Sequence, residues 1–235
     1  MWSVELVGRT SDLADFTRWF PEEPAKVVAN GDKFFLKGKL FEGLMGHEDV
    51  RRVAEERLNL MCAAIKLECA GLSLRPSAGA IYRIDDSGAR HAFAPGLNLT
   101  VRTRLEVRAF EDVSKRPTAT QKRVEAAMRN ESLRTAMILW ADGNRTWPRL
   151  YRILEEIEHA LGRRMVHKAG LTTKAQRERF KQSSGSPEDA GADSRHGPKG
   201  CAPPKNPMSI KEAEAFIASL LDGALLMTRD PQHDS

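Results

Sequence analysis

Apolar residues recur at every second position through much of the first half of this chain, and at every third or fourth position through the second. A period of two belongs to a strand with one wet face, and a period near 3.6 to an amphipathic helix. The 235-residue chain is therefore read as α+β, an N-terminal antiparallel sheet with helices followed by an all-α half. The clearest strand is Leu97–Phe110. There Leu97, Leu99, Val101, Leu105 and Val107 alternate with Asn98, Thr100, Arg102, Arg104, Glu106 and Arg108. Trp2, Val4 and Leu6 mark a second strand over Trp2–Val7. Lys26–Ala29 and Lys33–Leu36 flank Asn30-Gly31-Asp32, a hairpin signal. Ala80–Ile84 and Ala89–Phe93 flank Asp85-Asp86-Ser87-Gly88, another. Thr10-Ser11-Asp12 is placed to cap a short helix through Phe16 and Trp19, ended by Pro21 and Pro24. Val50, Val53, Ala54, Leu58, Met61 and Ile65 predict an amphipathic helix from Glu48 to about Ala70.

The polar segment Asp112–Thr120, with Pro117, reads as a boundary. After it, Val124, Met128, Leu133, Met137 and Trp140 predict one helix closing at Asp142-Gly143-Asn144. Trp147, Leu150, Tyr151, Leu154, Ile157 and Leu161 predict a second, with Pro148 in its first turn and Gly162 at its end. Lys174–Gln182 is a short third. The last runs from Ile210 to about Leu225 behind a capping box of Ser209 and Glu212. Before it lies Ser183–Pro207, with four Gly, five Pro and no large apolar side chain. This is read as a long internal loop. The division is thus 1–112 for the α+β part, 113–182 with 208–228 for the helical part, and 183–207 for a loop within it.

Apolar content of 41% and charged content of 29% suit a soluble globular protein. No apolar run approaches the 18 or so residues of a membrane span, and MWSVELVG lacks the regions of a secretory signal. The expectation is a cytoplasmic protein that no membrane holds. Three cysteines, Cys62, Cys69 and Cys201, follow no zinc spacing, so no metal is expected. No cofactor is implied either: a Gly-x-Gly-x-x-Gly loop, a Walker loop and a Gly-x-Ser-x-Gly elbow are all missing.

Net charge is +5, but seven cations (Arg163, Arg164, Lys168, Lys174, Arg177, Arg179 and Lys181) stand against Glu178 alone between 163 and 181. Such a cluster suits RNA or another acidic partner. It is equally the solvated face of a basic helix. Arg102, Arg104 and Arg108 would make a basic sheet face, an anion platform or a guard against aggregation. That strand lacks the interleaved aromatics on which single-strand binders stack bases.

Two Arg–His pairs are candidates for chemistry. Arg195-His196, followed by Gly197, joins a fixed cation to a proton carrier, which fits phosphodiester cleavage. The other reading is an exposed loop pair. Cys201 lies five residues beyond His196, a conceivable nucleophile. Arg152 and His159 lie seven apart on one helical face, where Arg152 is equally explained by ion pairs to Glu155 and Glu156.

The segments TWPRLYRILEEIEHALG (146–162), ERFKQSSGSP (178–187), DSRHG (193–197) and PPKNPMSIKEAEAFIASLL (203–221) together resemble the C-terminal half of a family of bacterial proteins with no assigned activity. More loosely, the helical half resembles HEPN-type domains, whose members include ribonucleases of toxin and phage-defence systems. Those carry an Arg, four to six intervening residues and a His, and Arg152 to His159 has six. The resemblance implies RNA as the partner and these two residues as catalytic. Ile153 follows Arg152 where that family usually has a polar residue, so a non-cleaving member fits as well. Two readings stand: a nucleic-acid-associated protein with a HEPN-like helical half, or a non-catalytic interaction or sensor protein in which the Arg-His loop is an anchor.

Overall fold

The computed structural model describes residues 1–69, 75–84, 90–93, 117–186, 190, 194 and 204–228. The expected strand Leu97–Phe110, with Arg102, Arg104 and Arg108, lies outside the described residues, as do Arg195, His196, Gly197 and Cys201. The chain forms two compact units, Met1–Ile65 with Gly71–Lys122, and Lys66–Ala70 with Arg123–Ser235. The architecture is α+β with a helical C-terminal half.

The first unit is built on β1 (Trp2–Val7), β2 (Lys26–Asn30), β3 (Lys33–Lys37), β4 (Ser77–Ile84) and β5 (Arg90–Phe93). They form one sheet in the order β2-β3-β1-β4-β5, each neighbouring pair antiparallel. Asn30 pairs with Lys33, so the β2–β3 loop is only Gly31-Asp32. Gly31 has φ 62° and Asp32 a negative φ, the pattern of a turn with glycine at its first central position. The alternation in sequence becomes a two-faced sheet. Trp2, Val4, Leu6, Val27, Phe34, Leu36 and Ile81 are buried on one face. Leu13, Phe16 and Trp19 of α1 (Thr10–Trp19) and the apolar side of α2 (His47–Glu68) join this core. Helix α1 starts behind Arg9 with no side-chain cap, so Thr10-Ser11-Asp12 forms its first turn instead of capping it.

The helical unit departs from expectation where polar side chains compete for backbone groups. The single helix expected over Val124–Trp140 is two, α3 (Pro117–Arg129) and α4 (Glu131–Ala141). Asn130 between them is extended, and its side-chain oxygen accepts the Leu133 amide at 3.1 Å. Asparagine offers that amide a partner outside the helix, which makes it a cap and not a helix interior. Helix α3 also starts inside the expected boundary, with Pro117 in the first position, where its missing N–H costs nothing. Helix α5 (Trp147–Leu161) ends at Gly162, and α6 (Arg163–Lys168) follows directly. Helix α7 (Lys174–Gly185) begins at a capping box of Thr173 and Gln176. Helix α8 (Ile210–Met227) begins at the expected box of Ser209 and Glu212.

Helix α7 outruns expectation by three residues. Ser183, Ser184 and Gly185, read as the start of the loop, are helical and buried. The Ser183 hydroxyl accepts the Met208 amide at 2.8 Å, and Arg179 donates to the carbonyls of Asn206 (2.7 Å) and Pro207 (2.9 Å). These bonds join the end of α7 to the start of α8. Phe180 fixes the same region from inside, with its ring 5.4 Å from Phe216, 5.9 Å from Trp147 and 6.1 Å from Tyr151.

Candidate functional site

The second face of the N-terminal sheet is where chemistry-bearing side chains gather. Strand β3 reads Lys33-Phe34-Phe35-Leu36-Lys37. Phe34 and Leu36 enter the core, so period-two geometry sends Lys33, Phe35 and Lys37 the other way. Phe35 pairs with Glu5 on β1 and with Val28 on β2, and Lys37 pairs with Lys26. Tyr82 of β4 pairs with Ser3. Ser3, Glu5, Lys26, Val28, Phe35, Lys37 and Tyr82 are all half-buried, while Lys33 is exposed.

These groups touch one another in an ordered way. The Phe35 and Tyr82 rings lie edge to face, 5.9 Å between centroids and 69° between planes. The Lys37 ammonium stands over the Phe35 ring at 5.5 Å, a cation–π contact. The Tyr82 hydroxyl donates to Glu5 Oε2 at 2.8 Å, and Lys33 Nζ lies 3.0 Å from Glu5 Oε1. The hydrogen bond to Glu5, aided by its charge, raises the Lys33 ammonium above its usual value. The bond to Glu5, then burial, raises the Tyr82 phenol. At neutral pH the lysine is a cation and the phenol keeps its proton. Glu5 is thus charge-paired by Lys33 and hydrogen-bonded by Tyr82, and Lys26 and Lys37 add positive charge to the face. Lys26 shares its charge with Glu23 at 2.9 Å.

In the helical unit the cations of 163–181 sort into two groups. Arg177 is buried, bidentate on Glu158, with its Nη2 2.8 Å from Oε2. A third bond reaches Glu178 at 3.1 Å. Burial pushes the Glu158 carboxyl up, but the hydrogen bonds and charges of Arg177 and Arg163 more than offset this and hold it below the usual range. Arg163 contacts the same carboxylate at 3.3 Å, and Arg179 pairs with Glu212 at 3.1 Å. Arg164, Lys168 and Lys174 are exposed and Lys181 is half-buried. Among the described residues these four make no ion pair. Among the described residues, three of the seven cations are paired within the helical unit and four are left for solvent or a ligand.

Arg152 and His159 share the exposed side of α5. Each has an intramolecular partner. Arg152 Nη2 lies 2.6 Å from Glu156 and Nη1 3.8 Å from Glu155. His159 Nδ1 lies 2.8 Å from the Ser132 hydroxyl. The pair shares a helix face, and among the described residues no interaction joins one to the other. No three His, Cys, Asp or Glu side chains among the described residues are placed to hold a metal ion. No described helix is long and apolar enough to cross a membrane. The chain matches no protein-family model, no curated protein and no solved structure.

The residues of the sheet face that sequence reasoning missed are Phe35, Tyr82, Lys33 and Lys37. Their signal was present: Lys-x-Phe-x-Lys alternates at period two within a hairpin arm. What was hidden was the strand order, which sets β1 between β3 and β4 and so brings Phe35 and Tyr82 into ring contact, with Glu5 of β1 bonded to Tyr82.

Proposed function

We propose that the protein is a nucleic-acid-associated binding protein, and that the half-exposed sheet face of Lys33, Phe35, Lys37 and Tyr82 is its contact surface. The observation that carries this reading is the interleaving of cations and aromatic rings on one sheet face. Lysines attract a phosphate backbone without regard to sequence, and ring faces offer surfaces on which bases stack. RNA is the partner favoured here, because the C-terminal half resembles HEPN-type domains. Arg164, Lys168 and Lys174 of the helical unit would add backbone contacts.

Binding is favoured over cleavage at α5. A HEPN-like ribonuclease would need the Arg152 guanidinium and the His159 imidazole at a phosphate. Here the first is turned to Glu155 and Glu156, and the second to Ser132. A cytoplasmic place rests on the sequence composition, Arg195-His196 as a second phosphate site on the chemistry of its side chains, and a role in bacterial phage defence on the HEPN resemblance; all three remain part of the proposal.

The test is fluorescence anisotropy of a labelled 20-nucleotide RNA against the full chain across a salt series. Affinity should fall linearly with salt on logarithmic axes. Replacing Lys33 and Lys37 by Gln should flatten the slope by roughly 0.7 for each lysine removed. Binding that ignores salt, or no binding, refutes the reading.

A further inference from the structure

The ligand class follows from what already occupies the Phe35 ring. Lys37 Nζ stands over that ring at 5.5 Å, while Tyr82 meets Phe35 edge to face. A cation above a half-exposed aromatic ring is worth little in water, because the ammonium gives up hydration to sit there. A nucleobase laid on the same ring gains more. Once displaced, the ammonium is within reach of the phosphate that the base brings with it. The exchange converts one weak contact into two stronger ones. It is open only to a base whose face is free, since bases in a duplex are already stacked on their neighbours.

Resting on the nucleic-acid reading above, we infer that this face selects single strands over duplex by stacking a base on Phe35 in place of Lys37, with Glu5 as the positioning residue that holds Tyr82 and Lys33 at its edge. The role of Glu5 follows from its contacts. One carboxylate oxygen accepts the Tyr82 hydroxyl at 2.8 Å and the other takes Lys33 Nζ at 3.0 Å. A carboxylate on a phosphate-binding face is a liability in charge alone, so its removal should strengthen binding unless it positions its neighbours. Glu5→Gln therefore separates the two effects. It removes a negative charge but also loosens the grip on Lys33 and Tyr82.

The experiment compares a labelled 20-nucleotide single strand with a mixed-sequence duplex of equal length, by anisotropy at fixed salt and again across a salt series. The wild-type full chain should bind the single strand at least about tenfold tighter. Phe35→Leu keeps apolar bulk and removes the ring, and circular dichroism checks that it folds. It should bring single-strand affinity down to the duplex level, with the salt slope unchanged. Lys37→Gln leaves the ring in place. It should keep the preference and lower the single-strand slope by roughly 0.7. Tyr82→Phe should keep the preference. Glu5→Gln should weaken single-strand binding.

Equal wild-type affinity for the two forms, or a preference that survives Phe35→Leu, overturns the stacking inference while nucleic-acid association stands. Should Phe35→Leu fail to fold, a Lys37→Gln variant that loses the preference overturns it instead. Tighter binding by Glu5→Gln overturns the positioning role. Failure of both polymers to bind leaves the face as a protein-contact surface and overturns both readings.

Discussion

Removing either partner of the buried Arg177–Glu158 pair should destabilise the protein by unequal amounts, and removing both together should cost least. The side chains of Arg177 and Glu158 are 5% and 10% exposed. Breaking a buried pair from one side typically costs about 3–5 kcal/mol, because a desolvated charge is left behind. In Glu158→Gln, Arg177 keeps Glu178 at 3.1 Å and one amide oxygen, so the cost should fall just below that range, about 2–3 kcal/mol. In Arg177→Met, Glu158 keeps only Arg163, which is exposed and 3.3 Å away, so the cost should be about 3–4 kcal/mol. For a chain of this size that is a fall in melting temperature of roughly 6–16 °C. Arg177→Met with Glu158→Leu removes both charges and should recover most of the loss. Urea unfolding followed by circular dichroism at pH 7 gives all three values and the coupling between the sites.

The pH dependence has a definite sign. The folded Glu158 carboxyl is held below its usual value, so its contribution is fully present above the unfolded pKa and fades as pH falls through the folded one. The gap between wild type and Glu158→Gln should begin to close as pH falls into the ordinary glutamate range, about 4, and vanish only below the folded carboxyl's own lowered value. Single variants that each cost under about 1 kcal/mol, or a double variant no more stable than either, would refute the reasoning that the loss comes from a buried charge left without its partner.

Other consequences follow from single contacts. Ser183→Ala strips the buried Met208 amide of its acceptor and should cost about 1–3 kcal/mol in urea unfolding. Ser209→Ala opens the capping box of α8 and should cost about 1 kcal/mol. Gly38→Ala should cost at least about 2 kcal/mol. Its backbone has φ +134°, and an added Cβ would lie 2.3 Å from the Pro24 carbonyl oxygen. His159→Ala removes an exposed imidazole from the Ser132 hydroxyl and should shift stability by no more than about 0.5 kcal/mol. Arg152→Ala leaves the buried Glu156 carboxylate without its 2.6 Å partner and should cost about 1–3 kcal/mol. Both should leave RNA affinity within twofold; a larger loss of affinity would return α5 to the centre of the site.

Features decided within a few residues were legible in the chain itself. The Lys26–Asn30 and Lys33–Lys37 hairpin, the Trp147–Leu161 helix and the Ser209 cap each depend on neighbours at one to four positions. The break at Asn130 was also a local event. It was missed because the apolar spacing runs through it, and the competing side-chain bond to Leu133 leaves that spacing intact.

The site was legible only in part. Charge belongs to a residue, but availability belongs to its partner. Glu158 lies 19 positions from Arg177 and Glu212 lies 33 from Arg179, so neither pairing could be read from the basic run of 163–181. Likewise Lys33 and Phe35 carry their direction in the strand period. Glu5 reaches Tyr82 across 77 positions, and only the order of strands in the sheet brings them together. The chain alone set where it would be strand or helix, because backbone hydrogen bonding and side-chain period act over a turn or two. The tertiary structure alone decided which cations are neutralised and which rings share a face, because those depend on contacts that close only when distant segments pack.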